Sequence, residues 1–412
     1  MQESLDIHQP VQRTTDNGIL TRNHVSLYIH IPFCQVRCHY CDFATFVGRE
    51  EQRDHYIDTL LQELELYPTA ELAVSTVFLG GGTPSLLTAE QMGRLLAGVT
   101  QRVQIVPGAE ITAECNPGTV DEAKLTAYRL AGINRLSFGA QTFDAELLPA
   151  LGRLHTVEQT VEALALARAA GFSNVSLDLM FGLPRQSLAS WELTLDTAIG
   201  LEPTHVSVYG LTIEPATNFG HWQRSGQLGP LPDEDLAAAM LEAASDRLTN
   251  QGYEHYEIAN FARPGSQARH NLTYWRNTEY IGLGMGAHSY FRRRRYANAV
   301  AFNTYLAGPV DFRHVAEQSQ TEEIEETSFL NLRLLQEGLA LETFRQRFGL
   351  DFREIYGAVL PRLQQQGWLT IEGGYVRLTP AAIPIANEVF ERFLVEQASV
   401  PALAGAEACP TA

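Results

Sequence analysis

Short apolar runs return along the first half of the chain, each followed by a stretch whose apolar residues recur at helical spacing. The runs are SLYIHIP (26–32), STVFLGG (75–81), AEITAEC (109–115), NRLSFGA (134–140), NVSLDLMFG (174–182) and HVSVYGL (205–211). Between them AEQMGRLLAGV, VDEAKLTAYRLAG and TVEQTVEALALARAAG repeat apolar positions every three or four residues, which predicts amphipathic helices. Strands alternating with helices predict an α/β fold with a parallel sheet and right-handed crossovers. Six such units fit a full or partial β/α barrel better than a short doubly wound sheet. The runs end in polar or glycine-rich residues, as barrel strands do where a site forms at their carboxyl ends.

Beyond about residue 305 the pattern changes. TEEIEETSFLNLRLLQEGLALETFRQRFGLDF reads as helical, and VLPRLQQQGWLTIEGGYVRLTPAAIPIANEVFERFL as a helix, a hairpin turning at Gly373 and Gly374, and a last helix. This predicts a C-terminal helical, winged-helix-like domain over 306–395, after a barrel with its extension over 21–305. The polar segment 1–20 is expected to be flexible and the Ala- and Pro-rich tail 396–412 to be disordered.

Composition narrows the classes. The 412 residues are 45% hydrophobic and 19% charged, which suits a globular protein with a sizeable core. No apolar run is long enough to span a membrane, and the N-terminal residues do not form a signal peptide, so a cytoplasmic protein is expected. A formal charge of −18 argues against nucleic acid as a partner, since phosphate contacts need clustered cations. The local exception, FRRRRY (291–296), reads as a solvated loop or helix end, or as a site for carboxylates, phosphates or an anionic membrane surface.

Three of the five cysteines fall at Cys34, Cys38 and Cys41 within IPFCQVRCHYCDF. The C-x3-C-x2-C spacing offers three thiolates on one loop. Zinc would need a fourth ligand, from His39 or Cys115; a [4Fe–4S] cluster held by three cysteines would leave one iron open to another ligand. Polar residues then appear at the ends of the later runs. GGGTPS (80–85) exposes backbone groups, ECNPGT brings Glu114, LSFGAQTF brings Gln141, LGRLH brings Arg153, and Asp178 sits inside NVSLDLMFG.

Taken in order, YIHIPFCQVRCHYC, GGGTPS, ECNPGT, LSFGAQTF, GRLH, DLMFGLP and YGLTIEPATNF resemble the radical S-adenosylmethionine (SAM) superfamily. Within it the chain is similar to the oxygen-independent coproporphyrinogen III oxidase group and its heme-chaperone branch, over roughly residues 25–395. The resemblance implies that Cys34, Cys38 and Cys41 hold a [4Fe–4S] cluster whose fourth iron takes the amine and carboxylate of SAM. It implies that Tyr28, Gly81, Gly82, Thr83, Glu114, Gln141, Arg153 and Asp178 surround that cofactor.

Two departures separate the chain from the decarboxylating members. They carry a further cysteine two residues past the third, where this chain has Phe43, and a longer segment before the position of Tyr28. HNLTYW (270–275) instead resembles a motif of the heme-chaperone branch. The resemblance implies His270 as a heme contact, with Tyr274 and Trp275 available to stack on a macrocycle and His288 as a second candidate. The expected function is heme binding and delivery to respiratory proteins, with peripheral contact at a membrane and a homodimer as a compatible assembly. The alternative is SAM-dependent coproporphyrinogen III oxidation, in which two propionates lose carbon dioxide.

Overall fold

The protein is represented by a computed structural model that describes residues 23–308 and 312–394. The segments expected to be flexible (1–20) and disordered (396–412) lie outside the described residues. Two compact units divide the chain.

The first unit is built on six parallel strands in chain order. They are β1 (Asn23–Ile31), β2 (Leu72–Gly81), β3 (Gln104–Cys115), β4 (Arg135–Gln141), β5 (Val175–Phe181) and β6 (His205–Gly210). Helices α1 (Arg53–Leu64), α2 (Ala89–Arg102), α3 (Glu122–Leu130), α4 (Val157–Ala169) and α5 (Leu188–Gly200) form the crossovers. Their starts are written locally. Thr88 with Gln91, and Thr156 with Gln159, make reciprocal capping boxes on α2 and α4, and Asp121 accepts the Lys124 amide at the start of α3. The neighbour order β1-β2-β3-β4-β5-β6 is that of a partial barrel, and the sheet stays open.

Beyond β1 the sheet continues through β7 (Tyr280–Leu283), parallel to β1, and an antiparallel hairpin of β8 (His288–Phe291) and β9 (Arg294–Asn298). The run FRRRRY is therefore neither a loop nor a helix end. Arg292 and Arg293 are its two-residue turn, both in the left-handed region at φ 52° and 61°, as a type I′ hairpin turn requires.

Side-chain alternation along the strands assigns their two faces. Leu27, Ile29, Val77, Leu79, Ala113, Leu136, Phe138, Leu177, Leu179, Val206 and Val208 belong to the apolar core. The residues between them are largely polar and face inward: Ser26, Thr76, Glu110, Thr112, Glu114, Arg135, Ser137, Ser176, Asp178, His205 and Ser207. Part of this polar inner face is met by the protein itself, where Ser26, Thr76 and Glu110 bond to residues 269–273; Glu114, Ser137, Asp178 and Ser207 instead line an open cavity.

Of the described residues, the second unit holds Tyr256–Ile258, Tyr274–Asn277 and 317–394. A helix (Gln320–Leu332) leads to a three-stranded sheet with short helices, closed over Phe344, Phe352, Tyr356 and Phe393. Its hairpin pairs Leu369–Glu372 with Tyr375–Leu378 and turns at Gly373 and Gly374, both at positive φ.

Candidate functional site

A cavity of about 490 Å³ opens at the carboxyl ends of the parallel strands. The segment after β1 supplies its three cysteines. Phe33–Cys34 pairs with Phe46–Val47, and the intervening loop is fixed at both ends and at its middle. Phe46 N–H donates to Pro32 O at 2.7 Å, His39 N–H to Leu151 O at 3.0 Å, and Phe219 N–H to His39 O at 2.9 Å. Cys34, Cys38 and Cys41 all line the cavity and are half-buried. Burial raises the Cys34 thiol, and raises Cys41 to about 11, so without a metal the protein environment favours thiols over thiolates. Bound iron would reverse that preference through its own charge.

His39, a candidate fourth ligand for zinc, is not on the cavity wall that the three cysteines share, whereas Cys115 is. The His39 Nδ1 is 3.2 Å from Ala150 O, and its ring packs edge-on against Trp222 at 4.7 Å. Among the described residues no group of three or more His, Cys, Asp and Glu side chains is arranged to hold a single metal ion. Three cysteines around a shared opening suit a cluster with several irons.

The glycine run after β2 forms a cradle. Gly81 has φ +101°, and a Cβ there would collide with the His30 ring; a Cβ on Gly82 would lie 2.6 Å from Ile31 O. Only glycine lets this backbone follow the β1 segment so closely. Gly82 N–H donates to Ile31 O at 2.9 Å and Thr83 N–H to Phe33 O at 2.8 Å. The Thr83 hydroxyl then reaches Cys34 Sγ at 3.6 Å, joining the cradle to the cysteine loop.

Glu114 and Asp178 present their carboxylates to the cavity while protein surrounds them on the other sides. Burial raises Glu114 to about 8, and the neighbouring Asp178 charge adds to the shift; Gly81 N–H, at 3.0 Å, opposes it. Burial also raises Asp178, against hydrogen bonds from Ser207 and Ser137, the latter at 3.0 and 3.1 Å. Two raised acids lining one cavity are suited to a cationic or hydroxyl-bearing ligand.

Gln141 ends β4 at φ +65°, an uncommon conformation for a residue with a side chain, at a register shift between β4 and β5. It lines the cavity. Arg153 donates to Cys38 Sγ at 3.6 Å and to Gly139 O at 2.6 Å. Its Nε is buried with no hydrogen-bond partner, as is Asn116 Oδ1 on the same wall. Tyr28 lies behind the cradle, where its hydroxyl is 3.0 Å from His30 Nδ1 and its ring stacks on Phe78. Orphaned polar atoms, a backbone cradle and three clustered thiols fit a [4Fe–4S] cluster with a zwitterionic, ribose-containing cofactor.

Tyr40, Arg135 and Ser137 also line the site and were not singled out by motif. Period-two alternation back from Gln141 through Gly139 leads to Ser137 and Arg135, so that signal was available. The His270 expectation fares differently. His270 is 1% exposed and is not on the cavity wall, although Ala268 and Asn271 are. Its Nδ1 is 2.7 Å from the Thr76 hydroxyl, its ring stacks on Phe78 at 5.1 Å, and burial lowers its pKa to about 3.

The chain matches known proteins over most of its length. Residues 28–198 match the radical SAM superfamily and residues 318–385 the HemN C-terminal domain. Heme chaperone HemW of Bacillus subtilis (strain 168) is 37% identical over 378 residues, covering 90% of this chain and 99% of that relative. The chain belongs to the HemW family of heme chaperones. HemW of Escherichia coli (strain K12) is 38% identical over 382 residues, covering 90% of this chain and 98% of the relative. The solved structure of coproporphyrinogen III oxidase (HemN) from Escherichia coli, described as a radical SAM enzyme, shares 25% identity. It superposes with a TM-score of 0.78 over 92% of this chain and 91% of that one. Membership in the radical SAM superfamily implies a [4Fe–4S] cluster and SAM.

Proposed function

We propose that this protein binds heme and hands it to respiratory proteins, on a scaffold that holds a [4Fe–4S] cluster and SAM. The observation that carries the reading is position 43. Where the resemblance gives the decarboxylating members a fourth clustered cysteine, this chain has Phe43, on the cavity wall and 60% exposed. Leu154 and Tyr209 lie on the same wall and are also largely exposed, so the opening carries apolar surface suited to a flat macrocycle. Heme-chaperone relatives matching over 90% of the chain support the same reading.

In this reading Cys34, Cys38 and Cys41 hold the cluster. Gly81 and Gly82 offer backbone groups to the SAM amine, with Glu114 close by as a counter-charge, and Thr83 and Gln141 line the same pocket. Arg153 serves the SAM carboxylate, Asp178 the ribose hydroxyls, and Tyr28 backs the cradle. Bound SAM and the cluster together supply the capacity for reductive cleavage of a sulfonium. His270 enters as a candidate iron ligand, but ligation requires its ring to leave both Thr76 and Phe78. A His270→Ala protein with unchanged heme affinity removes it from the site.

Delivery at a membrane and assembly as a homodimer belong to the same proposal. Among the described residues no helix is long and apolar enough to cross a membrane, so contact there would be peripheral. The oxidase reading draws on the match to HemN, and Phe43 stands against it. The test is anaerobic incubation of cluster-loaded protein with SAM, a strong reductant and coproporphyrinogen III, beside a heme titration of the same preparation. Saturable heme binding with no protoporphyrinogen is expected. Repeated turnover would make the protein an oxidase.

A further inference from the structure

Lys124 is the only lysine in the chain; every other residue among its 30 lysines and arginines is arginine. A sequence that otherwise uses guanidinium for positive charge uses an ammonium at one position, and that position is structurally distinctive. Lys124 sits in the first turn of α3, where its backbone N–H donates to the Asp121 carboxylate at 2.8 Å. Its Nζ donates to Ser85 O at 3.0 Å and to Thr119 O at 2.8 Å. Those carbonyls belong to different strand ends: Ser85 closes GGGTPS after β2, and Thr119 closes ECNPGT after β3.

The same two segments share a closed ring of hydrogen bonds. Asn116 N–H donates to Ser85 Oγ at 3.1 Å, and Thr119 Oγ1 donates to Asn116 O at 2.7 Å. The Thr119 proton is thereby used, so Ser85 is the donor in the 2.5 Å hydroxyl pair between them. On the cavity side the segments meet once more, where Gly81 N–H reaches Glu114. A tetrahedral ammonium can direct separate protons to two carbonyls in a partly buried gap. A planar guanidinium is wider and presents its donors as a fork.

We propose that Lys124 is a positioning residue of the cofactor cavity. Its ammonium clamps the GGGTPS segment to the ECNPGT segment and so fixes the separation between Gly81–Gly82 and Glu114–Asn116, across which SAM binds. The inference rests on the SAM reading above. It also predicts an asymmetry, because the cysteine loop is held by other bonds, from His39 to Leu151 and from Phe46 to Pro32. Loss of the clamp weakens SAM and leaves cluster assembly alone.

The experiment compares wild type, Lys124→Met and Lys124→Arg after anaerobic reconstitution. It measures iron and sulfide per chain, and SAM affinity from the change SAM induces in the EPR signal of the reduced cluster. Both variants are expected to load the cluster as wild type does, with SAM affinity reduced about tenfold in Lys124→Met through loss of two charge-assisted bonds. Lys124→Arg is expected not to restore it. Wild-type affinity in cluster-loaded Lys124→Met overturns the proposal, and wild-type affinity in Lys124→Arg overturns the ammonium clamp, since any cation would then serve. Parallel loss of cluster and SAM binding in both variants assigns Lys124 to the fold alone and overturns it too. A wild-type cluster that ignores SAM removes the SAM reading itself, and this inference with it.

Discussion

Glu63 and Glu114 are acids enclosed in the same unit, and burial raises both, to about 7 and about 8. Their surroundings differ. Glu63, on α1 and 0% exposed, accepts from Asn298 Nδ2 at 2.5 Å, Tyr305 Oη at 2.6 Å and Gly284 N–H at 2.8 Å. Among the described residues Glu114 accepts from Gly81 N–H alone, and it lines the cavity together with Asp178, whose charge adds to its shift. The first carboxylate has its donors built in and ties α1 to the β7–β9 extension. The second is left under-provided at the place where the cofactor is proposed to bind. Burial alone therefore does not mark a functional acid; burial with too few protein donors does.

Replacing any of Cys34, Cys38 or Cys41 by Ser is expected to abolish a stable [4Fe–4S] cluster, read as iron and sulfide per chain. Retention of a full cluster in one of them would remove that cysteine from the ligand set. Gly82→Ala is expected to abolish SAM binding, because its Cβ must push against the Ile31 carbonyl. Normal SAM affinity in that variant would show that the cradle yields.

Glu63→Ala should cost about 3 kcal/mol or more in urea unfolding, since three buried donors lose their acceptor. Glu114→Gln should not lower stability, because it removes the cost of holding a desolvated carboxyl beside Asp178. Equal losses would erase the distinction between the two sites.

The pH dependence follows from the same shift. An acid raised in the folded state holds a proton that the unfolded chain releases. Its contribution to stability is complete below the ordinary value of 4.5 and is lost as pH rises through the folded value of about 8. In protein without SAM, Glu114→Gln is therefore expected to flatten the fall in stability between those limits. An unchanged slope would mean that Glu114 is not the group responsible. The smallest effect is expected at the rim, where Phe43→Asp should weaken heme binding about threefold to tenfold by removing apolar contact. A wild-type heme titration curve would move the macrocycle away from Phe43.

Much of this was legible in the sequence. The six parallel strands announced themselves as apolar runs; the cysteine loop, the glycine run and Glu114 lie at their carboxyl ends, and Asp178 lies in the middle of β5 on the cavity side. The hairpin at Arg292 and Arg293 was hidden because its turn lacks the Gly, Asn or Asp that normally marks positive φ. There Arg292 N–H is held by the Glu279 carboxylate at 2.9 Å, a tertiary contact that overrides local preference. Glu63 was illegible for a similar reason: its partners arrive from residues 284, 298 and 305, more than two hundred positions away. His270 was legible as a distinctive histidine, but its motif did not reveal that Thr76 and Phe78 enclose it.

The division between the two acids is tested most directly by measuring Glu63→Gln and Glu114→Gln side by side in cluster-loaded protein, for urea midpoint and for SAM affinity. Glu63→Gln is expected to lower the midpoint and leave SAM affinity alone, and Glu114→Gln to weaken SAM about tenfold without lowering the midpoint. The reverse pattern would contradict the assignment of the cavity as the cofactor site.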